Sequence, residues 1–179
     1  DLAHCLRGTL VPLDVSRGIM RVVLGKNGAS QSLDLTSFCG DIHSDLTRRD
    51  FSVNAMAVPL DSFLQLGWRN HIVDLFDGQE DLKRRVIRVT GPSVLEDDPI
   101  RLLRAIRLAA ALGFTIEADT MAAIKQRASL LSMVAPERQR DELLRLLAQT
   151  KASRWIYLMD ELGLLVTVIP ELEAKVAVR

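Results

Sequence analysis

Glu96-Asp97-Asp98-Pro99-Ile100-Arg101-Leu102-Leu103-Arg104-Ala105-Ile106-Arg107 is the stretch on which the reading of this chain turns. Read as part of a helix over residues 98–112, at about 100° per residue, it puts Pro99, Leu102, Leu103, Ile106, Ala109 and Ala110 on one face. Asp98, Arg101, Arg104 and Arg107 fall on the opposite face, each ~60° from the last. One carboxylate and three guanidiniums thus make a stripe along a helix whose other side is pinned to a core. A solvated face laced by i,i+3 ion pairs is one reading of the stripe. Recognition of a polar, anionic ligand is the other, and the helix by itself does not decide between them.

C-terminal to this helix the pattern stays helical, over residues 118–128, 136–149 and 152–162. Gly113 and Gly163 read as helix stops, and Pro136 suits a first helical turn. N-terminal to Gly91-Pro92 the character changes. Residues 10–13, 19–24 and 31–38 read as strands, and Gly25-Lys26-Asn27-Gly28 is a hairpin signal before the third. Residues 44–57 read as helical and 57–60 as a further strand. After 72–75, a turn at Asp77-Gly78 feeds a short helix, and 86–89 is expected to be the last strand. The expected fold class is α+β, with a sheet-bearing part over residues 1–90 and an all-α part over 91–179.

Two further groups carry candidate chemistry. In Arg48-Arg49-Asp50, with Asn54 four residues beyond Asp50, arginine offers a fork of donors for phosphate. Asp and Asn can hydrogen-bond the hydroxyls of a sugar. The competing reading is an ordinary helix start with its arginines in water. Asp34 alternates with Leu33 and Leu35 on a strand, the usual place for a solvent-facing carboxylate. Glu137-Arg138 after Pro136 reads as helix-start chemistry, and Lys83-Arg84-Arg85 as a short basic run.

Composition narrows the classes. The chain has 179 residues, with 23 Lys plus Arg against 23 Asp plus Glu. No global positive field exists, so any nucleic-acid contact must come from local clusters. Aromatic residues are 4%, too few for the stacking platforms of single-strand binders. Two cysteines (Cys5, Cys39) make no disulfide framework, and His4, His43 and His71 have no zinc-site spacing. A reducing, cytoplasmic setting is expected. No apolar run approaches the ~20 residues of a membrane span, so no membrane partner is expected. The chain opens on Asp1, mid-pattern, and is expected to be part of a longer protein.

Four motifs, in order, carry a resemblance to a known family: RRDFSVNAMA (48–57), DLFDGQEDL (74–82), EDDPIRLLRAIR (96–107) and PERQRDEL (136–143). Together with the closing LGLLVTVIPEL (162–172), they resemble the class II nucleotidyltransferases. These are the bacterial-type CCA-adding tRNA nucleotidyltransferases and their poly(A) polymerase relatives. The resemblance covers about residues 10–172. It implies a palm-type nucleotidyltransferase head with a mixed sheet over residues 1–90, followed by a helical neck over 91–179 that reads the incoming nucleotide and binds RNA. The implied reaction transfers CMP or AMP from CTP or ATP to the 3′ end of an RNA, most naturally a tRNA, with Mg²⁺ as cofactor.

By that resemblance Asp98 and Arg101 form a protein template that pairs with the base. Arg49, Asp50 and Asn54 hold phosphate and ribose, while Arg104 and Arg107 contact the nucleotide. Glu137 and Arg138 buttress the template, and residues 74–82 form the hinge between head and neck. The family opens with a Gly-rich stretch ending in Arg-Asp, then an Asp-x-Asp pair for two metal ions, and nothing before residue 30 has either pattern. Asp34 corresponds to the strand that can add a catalytic, metal-binding carboxylate, at a position that varies. The chain as written is therefore expected to be inactive by itself. Poly(A) addition, or a non-catalytic nucleotide- or RNA-binding module, stands as the alternative.

Overall fold

Three β-branched runs near the N-terminus pair as the sequence predicts. The computed structural model describes residues 2–15, 18–25, 31–37 and 40–172. After a short helix α1 (Leu2–Cys5), strands β1 (Thr9–Asp14), β2 (Ile19–Leu24) and β3 (Gln31–Thr36) form an antiparallel sheet in the order β1-β2-β3. Pro12 sits in β1, at the edge, where a missing N–H is tolerated, and the register slips between Pro12 and Asp14. Most of the hairpin signal, Lys26-Asn27-Gly28, lies outside the described residues.

These strands belong to the first of two compact units, Asp1–Asp45; the second is Leu46–Arg179. Compactness thus changes at residue 45, ahead of the composition shift near 90. The reason lies in the packing of residues 46–90. Phe51 and Ile87 are fully buried in the same core as Leu102, Ile106, Leu131, Leu146 and Met159. Phe51 also bridges Val89, and the Ser52 N–H donates to the Arg88 carbonyl at 2.9 Å.

The division falls within α2 (Ile42–Thr47), and the second unit continues through a 3₁₀ turn (Ser52–Asn54), β4 (Met56–Ala57), α3 (Leu60–Phe63), β5 (Val73–Asp74), α4 (Gly78–Arg84), β6 (Val86–Ile87) and α5 (Val94–Asp97). Next come α6 (Arg101–Leu112), β7 (Thr115–Ile116), α7 (Ala118–Gln126), α8 (Pro136–Leu147), α9 (Ala152–Glu161) and α10 (Leu164–Val168). β4 pairs antiparallel with β5, and β6 pairs parallel with β7. Parallel pairing among the described residues is therefore between β6 and β7, while β1–β3 are antiparallel.

Four local expectations fail for identifiable reasons. The helix expected over 44–57 stops at Thr47, because Phe51 is extended (φ −129°, ψ 148°) to reach Val89 and the core. The strand expected over 57–60 ends at Ala57, and Pro59 instead opens the single turn α3. Strands do not cease at residue 91, since β7 returns beside β6. The helix expected from 98 starts at Arg101. Asp98 precedes Pro99, which disfavours the helical region, and it is extended (φ −148°, ψ 93°). Of the expected apolar face, Leu102, Leu103, Ile106 and Ala109 are buried and Pro99 and Ala110 half-buried, and Ala105 is buried besides. Gly113 closes it at φ 67°, and Gly163 likewise follows α9 at φ 73°.

α4 is fixed at its start by one carboxylate. Asp74 accepts the backbone N–H of Gly78 at 2.7 Å and of Gln79 at 2.9 Å, satisfying two of the unpaired donors of a helix start. Gly78 is buried against the 3₁₀ turn, and a Cβ there would run into the Ser52 carbonyl. Buried Asp81 accepts the Ser52 hydroxyl at 2.6 Å and the Arg88 Nε at 2.9 Å, so α4 is tied to the same turn twice. Partial burial pushes the Asp74 carboxyl up, but the Gln79 and Gly78 N–H donors outweigh it and hold the group below the usual carboxylate range.

Gly78→Ala should therefore destabilise the fold by about 1–3 kcal/mol, the range for overpacking, in chemical denaturation. Asp74→Ala should cost about 1 kcal/mol at neutral pH, as the loss of a helix cap does. A carboxylate with a depressed folded-state pKa stabilises above its unfolded value and loses that contribution as pH falls through the folded one. Hence the gap between wild type and Asp74→Ala should close in acid. A gap that persists unchanged in acid would contradict this account of the cap.

Candidate functional site

The charged side of α6 is not a solvated face. It is covered by the 48–54 segment and by α8, and nearly every charge on it has a partner. Arg101, in the first turn of α6, donates through Nη1 to the Val94 carbonyl and through Nη2 to the Arg48 carbonyl, both at 3.0 Å. Its Nε–H is buried and donates to no partner among the described residues. Asp98, just before the helix, receives Arg138 Nη2 of α8 at 2.9 Å. One turn on, Arg104 donates to Asp50 Oδ2 at 3.3 Å and to Glu142 Oε1 at 3.4 Å. Arg107 donates through Nε to the other oxygen, Glu142 Oε2.

Asp50 and Glu142 are buried, at 8% and 7% exposure, which makes pairing obligatory: an ionised carboxylate out of water is costly unless bonded. Asp50 also accepts the Phe51 N–H at 2.9 Å and the Asn54 side-chain amide at 3.3 Å. Asn54 thus reaches Asp50 across an extended residue and a 3₁₀ turn, not along a continuous helix face. Burial by itself would lower the pKa of Arg104, but Asp50 and Glu142 raise it, and the guanidinium stays charged.

The two sequence clusters meet here. Arg49, Asp50 and Asn54 from one segment, with Arg101 and Arg104 from α6, line a cavity of about 460 Å³. Its walls carry three guanidiniums, one carboxylate and one amide, a donor-rich lining suited to an anionic ligand with hydroxyls. The other expected residues lie elsewhere. Asp98 flanks the cavity-lining residues in sequence but is engaged by Arg138. Arg107 lies one helical turn past Arg104, on Glu142. Glu137 is exposed in the first turn of α8, and Glu142 faces the arginines in its stead.

Sequence reasoning missed Glu142, although it stands inside PERQRDEL. The usable signal was its i,i+4 spacing from Arg138, which places both on the α8 face turned to α6.

Asp34 belongs to the first unit. It sits opposite Arg21 across β2 and β3, and both its oxygens are taken, by Arg21 Nε at 2.5 Å and Nη2 at 2.7 Å. That bidentate pair holds the Asp34 carboxyl below its ordinary range. Among the described residues no group of three or more His, Cys, Asp or Glu could hold a metal ion, so they do not fit a two-metal centre. Among them, too, no helix is long and apolar enough to cross a membrane.

Comparison with known proteins shows what the chain is similar to. Residues 13–88 match the poly A polymerase head domain, and residues 113–176 match a domain described as the probable RNA and SrmB-binding site of polymerase A. An A-adding tRNA nucleotidyltransferase of Deinococcus radiodurans is 40% identical over 96% of the chain, and a CC-adding one of Geobacter sulfurreducens 41% over 90%. The chain spans 38% and 36% of the lengths of those two proteins. A CCA-adding enzyme of Thermotoga maritima, solved in complex with tRNA, superposes with a TM-score of 0.79 at 32% identity, over 94% of this chain and 40% of that one. With head-domain and RNA-binding-domain matches in the family's order, and solved relatives that share its fold, this chain belongs to the family of poly(A) polymerases and tRNA nucleotidyltransferases.

Proposed function

We propose that this chain selects and holds the incoming nucleotide in an RNA nucleotidyltransferase. The enzyme transfers CMP or AMP from CTP or ATP to the 3′ end of a tRNA, as in CCA addition, and works in the cytoplasm. The observation that carries the reading is the cavity. Two segments about 50 residues apart in sequence bring together Arg49, Asp50, Asn54, Arg101 and Arg104. Solved CCA-adding enzymes in complex with CTP and with ATP superpose on the chain at TM-scores of 0.78 and 0.77, which supports those ligands. Residues 1–90 are assigned to the head and 91–179 to the neck, in line with the two family matches.

Each role follows from chemistry. Arg49 supplies a charge-assisted contact to phosphate, while Asp50 and Asn54 lie on the same wall for the ribose hydroxyls. Arg101 and Asp98 face the base. Arg101 keeps donors beyond the two N–H groups it gives to carbonyls, and Asp98 keeps acceptor capacity beyond Arg138. A carboxylate accepts from the exocyclic amine of cytosine or adenine, and a guanidinium donates to the neighbouring ring nitrogen. Uracil and guanine present a carbonyl where the carboxylate needs a donor, so they leave buried polar groups unpaired. Arg104 and Arg107 contribute positive charge along the helix, and Arg138 positions Asp98. Mg²⁺ is the cofactor this chemistry uses. Both oxygens of Asp34 are engaged by Arg21.

The test is titration of the chain with CTP, ATP and UTP by calorimetry, paired with label transfer to tRNA lacking its 3′ end by the protein that carries this chain. Arg49→Ala should weaken CTP and ATP alike by about 1.5–3 kcal/mol, the value of a charge-assisted hydrogen bond. Asp98→Ala and Arg101→Lys should weaken both by about 2–4 kcal/mol and narrow the preference over UTP. Circular dichroism checks that each variant folds. Equal binding of all three triphosphates by the wild-type chain, or an Arg49→Ala effect confined to one base, would overturn the assignment.

A further inference from the structure

Glu142 lies outside the cavity lining, yet it touches the side chain that joins both walls. Its side chain is 9% exposed, and its two oxygens accept from the Nε of Arg104 and the Nε of Arg107. Arg104 is meanwhile held from its other edge by Asp50. A guanidinium is planar and presents five N–H donors in a fixed fork. With Nε on Glu142 and Nη1 on Asp50, its plane is set from two sides. Nη2 has no hydrogen-bond partner among the described residues, and Arg104 lines the cavity.

We infer that Glu142 is a positioning residue for nucleotide binding: it fixes the plane of Arg104 so that Nη2 stays available to the cavity as an oriented donor. This rests on the reading of the cavity as a triphosphate site. Glu142 acts through Arg104 and does not touch the ligand. The four charges Asp50, Arg104, Glu142 and Arg107 sum to zero, which lets two arginines stand side by side within a largely buried cluster without mutual repulsion dominating. A long arginine with neither anchor would spread over several rotamers and lose that entropy on every binding event.

Coulombic and geometric roles predict opposite signs here. Glu142→Gln removes a negative charge near a polyanion site, so charge by itself would tighten CTP binding. Positioning predicts weaker binding. We expect Glu142→Gln to raise the Kd of the chain for CTP by roughly 10-fold, the scale of one oriented charge-assisted bond. The same change should have less than about a two-fold effect in an Arg104→Lys background, and its full effect in an Arg49→Ala background, as additivity for uncoupled sites requires. Thermal unfolding by circular dichroism accompanies each titration. If Glu142→Gln does not fold, Glu142→Asp, which keeps the charge and shortens the reach, replaces it and should weaken CTP in the same Arg104-dependent way.

Tighter or unchanged CTP binding, or a penalty undiminished with Arg104→Lys, overturns the inference while leaving the cavity reading intact. If the wild-type chain binds no CTP, it is the cavity reading that falls.

Discussion

Everything that makes this site depends on two carboxylates, Asp50 and Glu142, being buried against arginines of α6. Neither can be left ionised and unpaired without a cost of several kcal/mol. Their burial therefore dictates that the 48–54 turn, α6 and α8 assemble in one arrangement, in which Arg104 lies between them. The apolar packing beneath is generous but not selective in the same way. Leu102, Ile106 and Leu146 would tolerate modest repacking, whereas a shifted register of α6 against α8 would strand Glu142.

Around that network the backbone provides the remaining constraint. Arg101 is clasped by two carbonyls, one from α5 and one from the 48–50 turn, so it joins the segment that carries Arg49 to the helix that follows Pro99. Asp98 stands extended just outside the helix because proline follows it, and Arg138 holds its carboxylate. The result sets Arg101 in the lining of a donor-rich cavity, with Asp98 three residues before it. Phe51, fully buried and bridged to Val89, anchors the other wall.

Much of this was legible in the sequence, and the failures are physical. The period of α6 named both its buried face and its charged stripe, and the three N-terminal strands followed from alternating β-branched runs. The clusters at 49–54 and 98–104 were each readable, but neither spacing nor period said that they meet; the family resemblance supplied that link. The helix expected through 44–57 failed because burial of Phe51 and its bridge to Val89 outweigh local propensity. The pairing of β7 with β6 was invisible because two-residue strands carry no periodicity. Glu142 was passed over for Glu137 because a helix-start motif draws attention to its first turn, while the residue that faces α6 lies later on the same helix. The pairing of Asp34 with Arg21 required the strand register, which no single strand encodes.

The central claim is that the cavity between the 49–54 segment and α6 is where a nucleoside triphosphate with an amino-bearing base binds. Nitrogen-edited NMR of arginine and asparagine side chains, with assigned resonances and stepwise addition of CTP, reads it most directly. The account predicts saturable shifts of Arg49, Asn54, Arg101 and Arg104 with CTP, smaller ones with UTP, and none at Arg21 or Arg69, which lie elsewhere in the chain. Shifts centred on Arg69 and the neighbouring Trp68, with Arg101 and Arg104 unmoved, would contradict it.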